Sequence, residues 1–224
     1  MTVALESPVS INERQGDAPQ YPVNLVLAGR RCLVVGGGSV AARKVAGLVA
    51  CGALVHVVAR EVGAEIRALE GEGVTVDQRP YRRGEVVGYR LVVAATNDGA
   101  INRTIYDDGE AAGVWVNSAD DPASCSFTLP AVVRRGPVMV ALSTGGKSPA
   151  LAAWLKARVE ADIGPEYEVL ARLLADERAA LKAAGRPTVA VDWKRALDSD
   201  MLDLIRAGQI VRARERLQAC LSSS

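Results

Sequence analysis

Short apolar runs alternate along the chain with stretches whose apolar residues recur at helical spacing. From Arg31 onward the runs are rich in Val, Leu and Ala, as is typical of buried strands. The predicted strands are 32–35, 54–58, 74–78, 91–95 and 114–117, and the predicted helices between them are 40–51, 62–70 and 100–112. This order predicts an α/β fold of Rossmann type, a mostly parallel sheet with helices on both faces.

The pattern changes after residue 118. Runs at 126–133 and 137–143 predict a hairpin whose turn is Arg134-Arg135-Gly136. Ser148 before Pro149 is typical of a helix start, and this helix is expected to end near Ile163. Helical spacing at 167–184 and 201–221 predicts an all-helical tail. We expect four segments, namely a mobile leader 1–20, a Rossmann domain 21–123, a hairpin and helix 124–163, and a helical domain 164–224.

A G-x-G-x-x-A motif follows the first predicted strand and opens the first predicted helix. Gly36 would allow the tight turn, Gly38 would let the backbone approach a pyrophosphate, and Ala41 would let the helix pack closely. The first helical amides, at Ser39 and Val40, would then face the phosphates. These residues predict a site for NAD or NADP; a tight turn without a ligand is the alternative.

Two further strand ends offer contacts to such a cofactor. The second strand is followed by Arg60 and Glu61, and the acidic residue expected to hold the ribose hydroxyls is not evident there. Arg60 meeting a 2′-phosphate would favour NADP, whereas backbone groups could instead hold the ribose, so both cofactors remain open. Thr96 and Asn97 follow the strand 91–95, where they are expected to contact the cofactor. The alternative is that residues 96–98 cap the next helix, and one residue can do both.

Candidate chemistry lies after the strand 114–117 and in a later loop. Asp120 and Asp121 are the paired carboxylates beside the predicted crevice, and one of them is a candidate general base. From spacing alone, a turn before Pro122 is the favoured interpretation of this pair. The segment 143–149 joins a strand to a helix start and is similar to an anion-binding loop, which Lys147 would strengthen.

Composition narrows the classes of function. The formal net charge of +1 gives no reason to expect a nucleic acid or membrane partner. No apolar run is long enough for a membrane span, and residues 1–21 do not resemble a signal peptide, so we expect a cytoplasmic protein. Four dispersed cysteines predict free thiols and no metal site. Because His56 is the single histidine, a mechanism with a serine–histidine or cysteine–histidine pair could use only this position, which excludes most classes of hydrolase.

Five ordered motifs are similar to those of one protein family. They are Val34-Val35-Gly36-Gly37-Gly38-x-Val40-Ala41-x-Arg43-Lys44; Ala94-Ala95-Thr96-Asn97-Asp98-x-x-x-Asn102; Asn117-x-x-Asp120-x-Pro122; Ser126-Phe127-x-x-Pro130; and Ser143-x-Gly145-Gly146-x-Ser148-Pro149. Together they closely resemble the precorrin-2 dehydrogenase family, the dehydrogenase and ferrochelatase module of sirohaem synthase. The resemblance covers residues 21–163, and the tail is similar only in being helical.

The resemblance implies oxidation of precorrin-2 to sirohydrochlorin with NAD⁺ and, in bifunctional members, insertion of Fe²⁺ as a substrate. It implies that Asp120 is the general base, which replaces the turn interpretation above. It also implies substrate contacts, a homodimer formed through the hairpin and the following helix, and no nucleic acid or membrane partner. The expected substrate contacts are Asn117, Ser143, Thr144, Gly145 and Lys147. We expect no uroporphyrinogen methyltransferase domain, because the helical tail is followed by few residues.

Two other classes of function remain as alternatives. A regulatory nucleotide-binding domain, of the kind that gates potassium transporters, would share the segment from Ala95 to Asn102 but would bind without turnover. An NAD-dependent dehydrogenase of an unrelated small molecule is the second. The sequence leaves open whether iron is inserted, whether NAD or NADP is preferred, and what Thr144 does where some relatives carry serine.

Overall fold

The computed structural model describes residues 19–71, 73–189 and 191–222. The expected leader, 1–20, lies outside these residues except for Pro19 and Gln20. The chain forms two compact units, the first up to Leu129 and the second from Pro130 onward. The four segments expected from the sequence stay a prediction. In the described part of the chain, no helix has both the length and the apolar content that a membrane span requires.

A five-stranded parallel sheet with the order β3-β2-β1-β4-β5 forms the first unit. The strands are β1 (Arg31–Val35), β2 (Leu54–Ala59), β3 (Val74–Gln78), β4 (Leu91–Ala94) and β5 (Trp115–Ser118). The strand order reverses between β1 and β4, which is where open α/β sheets bind their ligands. The Rossmann fold predicted from the sequence is confirmed.

Helices cover both faces of this sheet. They are α1 (Ser39–Val49), α2 (Ala64–Arg67) and α3 (Gly99–Ala112). Alternate strand residues point to opposite faces, so Val34 and Val57 pack in one core with α1 and α2, whereas Leu33 and Val92 pack in the other with α3. Continuous apolar strands are therefore explained by burial on both sides.

Helix α2 is shorter than the predicted helix 62–70. Its N-cap, Gly63, has extended backbone (ψ 161°) and donates its amide to Gly37 O at 3.0 Å. This bond ties the residues before α2 to the glycine turn. At the other end, Gly71 has φ +150°, a conformation that a helix does not contain.

The second unit begins with an antiparallel hairpin of β6 (Ala131–Arg135) and β7 (Val138–Leu142). The predicted turn at 134–136 is wrong, because Arg134 and Arg135 are strand residues that pair with Met139 and Val138. The turn is Gly136-Pro137, where Gly136 has φ +55° and Pro137 cannot donate to a ladder. The strand predicted at 126–133 also begins later, at Ala131.

Five helices follow the hairpin within the described residues. They are α4 (Pro149–Asp162), α5 (Glu166–Ala183), α6 (Trp193–Leu197), α7 (Met201–Arg206) and α8 (Ile210–Ser222). The last four share an apolar core. The continuous spacing predicted over 201–221 is interrupted at Gly208, whose φ of +72° and bonds from Gly208 N to Ile205 O and from Gln209 N to Leu204 O end α7 in a Schellman motif.

Candidate functional site

The carboxyl ends of three neighbouring strands lie at one edge of the sheet. The register pairs Val35 of β1 with Ala94 of β4, and Ala94 with Ser118 of β5. Ala119 continues this alignment by donating its amide to Ala94 O at 2.9 Å. The residues that follow these strands therefore meet at the same edge, and they include the glycine turn, Thr96 and Asp120.

The glycine turn after β1 packs against neighbouring backbone. Gly36 has φ +135°, and a Cβ at this position would lie 2.2 Å from Ala95 O. A Cβ on Gly37 would lie 1.9 Å from Glu61 O. Both positions require glycine, because the contacting atoms belong to the main chain.

Gly38 differs from its two neighbours, because a Cβ there would meet no atom within 4 Å among the described residues. It is the N-cap of α1, with extended backbone and, in the described part of the chain, no side-chain cap. Ser39 is exposed and Val40 is 37% exposed in the first turn, while Ala41 is fully buried below them. Open space beside exposed helix amides fits a pyrophosphate, as the motif predicts.

The turn after β4 is held by a buried side chain. Thr96 donates its amide to Asn102 Oδ1 at 3.2 Å and its hydroxyl to the same atom at 2.7 Å. Asp98 is the N-cap of α3 and accepts from the amides of Ala100 and Ile101. Asn97, between them, is exposed. The capping role considered for this segment thus belongs to Asp98, and the cofactor contacts expected at Thr96 and Asn97 stay predictions.

The two adjacent carboxylates after β5 have different surroundings. Asp121 accepts from Ala123 N at 3.0 Å and from Ser124 Oγ at 2.6 Å, so it caps the short 3₁₀ helix Pro122–Ser124. Asp120 is exposed, and Oδ1 accepts from Asn102 Nδ2 at 3.1 Å and from Ser118 Oγ at 3.5 Å. In the described part of the chain both of its hydrogen bonds go to Oδ1, which leaves Oδ2 facing solvent and able to accept a proton.

Arg60 and Glu61 lie directly after β2, and both side chains are exposed. Gln78 Nε2 donates to Arg60 O at 3.3 Å, and Glu61 O is the atom that approaches Gly37. The main chain here is therefore fixed next to the glycine turn, whereas the guanidinium is available to a ligand. Their assignment to the cofactor stays a prediction.

Asn117 is buried, and its side chain is engaged within the protein. Nδ2 donates to Phe127 O at 3.0 Å and approaches Cys125 Sγ at 3.5 Å. The same segment is held by Ser126, which donates its amide to Val116 O at 2.8 Å. These bonds explain why 126–130 runs beside β5 without forming the predicted strand. The expected contact of Asn117 with the substrate stays a prediction.

Cys125 and Lys44 lie close to this edge. Cys125 Sγ accepts from Ser118 N at 3.2 Å, and burial raises the pKa of its thiol. Burial and the neighbouring Arg43 lower the pKa of Lys44 on α1. A protonated thiol that bonds to main-chain groups serves as a support for the loop.

The loop between β7 and α4 belongs to the second unit. Thr144 Oγ1 accepts from Ser148 N and donates to Ser148 O, each at 3.1 Å. Gly145 N donates to Ser143 Oγ at 3.1 Å, and Ser148 Oγ accepts from Leu151 N as the N-cap of α4. Thr144 thus closes the loop, which answers what this side chain does locally. The substrate contacts expected at Ser143, Thr144, Gly145 and Lys147 stay predictions.

No group of three or more His, Cys, Asp or Glu side chains that could hold a metal ion occurs among the described residues. The exposed carboxylate of Asp120 and the open helix N-terminus both lie at this edge of the sheet. Together they can place a bound dinucleotide beside a proton acceptor.

Comparison with known proteins finds matches to two family models, one after the other along the chain. Residues 23–131 match the family model described as putative NAD(P)-binding. Residues 135–161 match the model described as the sirohaem biosynthesis protein central region. These two matches agree with the resemblance to the precorrin-2 dehydrogenase family that the sequence motifs show. The nicotinamide dinucleotide expected for the first unit agrees with the first of these models.

The chain is similar to several sirohaem synthases. It is 40% identical over 206 residues to the sirohaem synthase of Nitrosococcus oceani, which covers 90% of this chain and 44% of the relative. It is 38% identical over 202 residues to that of Chromobacterium violaceum, covering 88% and 43%. The chain thus spans less than half the length of these relatives.

A solved structure described as SirC, precorrin-2 dehydrogenase, matches nearly over its whole length. The TM-score is 0.66 and the sequence identity is 29%, with 90% of this chain and 98% of that chain covered. The similarity extends beyond the Rossmann unit, because 90% of the present chain is included.

Asn102 lies in one of the five sequence motifs, but the sequence alone assigns it no role. It lies on α3 and contacts Thr96 and Asp120, which are 6 and 18 residues away. A buried asparagine in the first turn of an amphipathic helix is the signal that was available, since a buried amide must find partners.

Proposed function

We propose that the chain is an NAD-dependent precorrin-2 dehydrogenase, which oxidises precorrin-2 to sirohydrochlorin. The observation that carries the proposal is the shared edge of the sheet. It contains the open N-terminus of α1 beside Gly38 and the exposed carboxylate of Asp120. Similarity to sirohaem synthases and to the structure described as SirC, precorrin-2 dehydrogenase, supports the choice of substrate.

The chemistry requires the loss of a hydride and a proton from the tetrapyrrole. When bound, the oxidised nicotinamide supplies the acceptor for the hydride. Oδ2 of Asp120 accepts the proton, because it faces solvent while Oδ1 is held by Asn102 and Ser118. Gly36, Gly38, Ser39, Val40, Thr96 and Asn97 form the cofactor side of the site, and Arg60 and Glu61 lie where the ribose is expected.

Substrate binding is assigned to Asn117 and to the loop residues Ser143, Thr144, Gly145 and Lys147. Precorrin-2 carries several carboxylates, which bind favourably to backbone amides and to a lysine ammonium. The support is the closed geometry of the loop, in which Thr144 fixes Ser148 and Gly145 and Gly146 adopt positive φ.

The proposal includes insertion of Fe²⁺ into sirohydrochlorin, with the iron as a substrate bound by the nitrogens of the macrocycle. The same carboxylate of Asp120 would take up the pyrrole protons that iron displaces. Addition of Fe²⁺ or Co²⁺ to the anaerobic product, followed by absorbance spectroscopy, tests this second step. An unchanged product spectrum would limit the activity to dehydrogenation.

The main test is an anaerobic absorbance assay of precorrin-2 oxidation with NAD⁺ and with NADP⁺. We expect formation of sirohydrochlorin and of the reduced cofactor in equal amounts, and faster turnover with NAD⁺. Binding of either dinucleotide without turnover would support the regulatory sensor, and turnover of other substrates alone would support an unrelated dehydrogenase. Faster turnover with NADP⁺ would assign Arg60 to a 2′-phosphate.

The adjacent carboxylates offer a matched pair of variants. Asp120→Asn is expected to lower kcat by about 100-fold or more, since general base catalysis typically contributes this much. Asp121→Asn retains an N-cap side chain for the 3₁₀ helix, so its kcat should stay close to that of the parent. Equal losses in the two variants would show that Asp120 is not the base.

The second unit supports a homodimer. Helix α4 buries none of its side chains in the described chain, and Trp154 and Leu151 on it are 55% and 46% exposed. Large apolar side chains that stay exposed on a helix are typical of an interface. We propose a second copy of this chain as the partner, formed through the hairpin and α4.

A further inference from the structure

Asn102 has both of its polar atoms engaged although its side chain is only 1% exposed. Oδ1 accepts from the amide and the hydroxyl of Thr96. Nδ2 donates to Thr96 O at 3.1 Å and to Asp120 Oδ1 at 3.1 Å. The side chain therefore uses the two acceptor and two donor positions that an amide offers.

The orientation of this amide is determined by Thr96. The Thr96 N–H must face an oxygen, and the Thr96 C=O must face an N–H, so Oδ1 and Nδ2 of Asn102 cannot exchange places. The remaining hydrogen on Nδ2 is then directed at Asp120. The bond to the carboxylate is a consequence of how the turn after β4 is built.

The two residues that Asn102 joins belong to different parts of the proposed site. Thr96 follows Ala95, whose carbonyl oxygen is the atom that Gly36 approaches beside the nucleotide turn. Asp120 follows β5 and is the proposed base. On the basis of the proposed function, we infer that Asn102 is a positioning residue, which fixes the Asp120 carboxylate relative to the cofactor turn.

The bond also selects which oxygen of Asp120 works. With Oδ1 held by Asn102, Oδ2 is the oxygen without a hydrogen bond among the described residues, and it is the proposed proton acceptor. Loss of the Nδ2 donor would let the carboxylate rotate and would leave the loop 119–121 with one fewer bond to the sheet edge. The proton acceptor would then be misplaced, and the Thr96 carbonyl would also lose its donor.

The test compares Asn102→Ala and Asn102→Asp with the parent chain. Asn102→Asp keeps the acceptor for the Thr96 N–H and the shape of the side chain, but it replaces the donor to Asp120 and to Thr96 O by a second carboxylate oxygen. Both variants should lower kcat by about 10- to 100-fold, as expected for a displaced reacting group. KM for precorrin-2 should change by no more than about threefold.

The control variant is Thr104→Ala, two residues further along α3, where the hydroxyl bonds only to Ala100 O within the described structure. It should retain the parent kcat. A parent-like kcat in Asn102→Ala or Asn102→Asp, or an equal loss in Thr104→Ala, would overturn the inference. A parent chain without turnover would instead reject the proposed function.

A second measurement does not depend on activity. Urea unfolding of Asn102→Ala, Asp120→Ala and the double variant forms a double-mutant cycle. A contact between the two side chains predicts that the double variant is less destabilised than the sum of the single variants. Additive effects would show that Asn102 does not hold Asp120, and they would overturn the inference whatever the kinetics.

Discussion

Replacement of Gly38 by alanine should separate cofactor binding from folding. The site of the new Cβ has no neighbour within 4 Å among the described residues, and Gly38 has φ −87°, which alanine adopts readily. The variant should fold at least as stably as the parent, with a gain of about 0.4–1 kcal/mol from the less flexible unfolded chain. The methyl group would occupy the space through which a pyrophosphate approaches the backbone.

The loss of binding can be estimated from the hydrogen bonds at risk. Hydrogen bonds to a charged group contribute about 1.5–3 kcal/mol, and each 1.4 kcal/mol corresponds to about tenfold in affinity. Loss of one such bond therefore predicts an increase of about 10- to 100-fold in Kd for NAD⁺. Isothermal titration calorimetry measures this Kd, and thermal unfolding followed by tryptophan fluorescence measures stability.

The matched control is Gly37→Ala, whose Cβ would lie 1.9 Å from Glu61 O. The backbone must move to admit it, at a cost of about 1–3 kcal/mol or more. For a chain of this size the Tm should fall by about 2–4 °C per kcal/mol. A Kd for Gly38→Ala within about twofold of the parent, or a Tm that falls as far as that of Gly37→Ala, would refute the reasoning.

Three other predictions concern stability and assembly. Burial raises the pKa of the Cys32 thiol to about 11, so as the pH rises this thiol ionises in the unfolded state before it does so in the folded state. The free energy of unfolding should therefore fall by about 2 kcal/mol between pH 9 and 11. This fall should be absent when the urea titrations are repeated on Cys32→Ala. Trp154→Glu should shift the proposed dimer to monomer in light scattering after gel filtration, and an unchanged mass would exclude α4 from the interface. Gly208→Ala should destabilise by about 1–2 kcal/mol, because alanine disfavours the left-handed conformation, whereas Gly47→Ala, inside α1, should stabilise by about 0.5–1 kcal/mol in the same urea titration.

The Rossmann architecture could be predicted because its signals are local. Buried strands appear as apolar runs, and the G-x-G-x-x-A spacing marks the first turn whatever the rest of the chain does. The ends of helices and strands were harder to predict from the sequence. Arg134 and Arg135 resemble turn residues, but the geometry of Gly136-Pro137 places the turn after them. Gly208 ends α7 within a pattern that is otherwise continuous.

The sequence predicts those site residues that directly follow a strand, because the strands themselves can be recognised. The different roles of Asp120 and Asp121 could not be predicted from their spacing, because the roles depend on which carboxylate caps the 3₁₀ helix. The contact of Asn102 with Asp120 joins the first turn of α3 to the loop after β5. Such a contact is visible only once the sheet has aligned the two segments. Helix α6 has only five residues, which are too few for the helical spacing of apolar residues to be recognised in the sequence.

Because a Cβ on Gly36 would meet the Ala95 carbonyl, main-chain atoms line the glycine turn, where we propose that the dinucleotide binds. Under this proposal, substitution of a surrounding side chain such as that of Arg60 should change the preference between NAD and NADP without displacing the nicotinamide ring. A change of coenzyme preference should therefore be attempted at these surrounding side chains, with the glycine turn left unchanged.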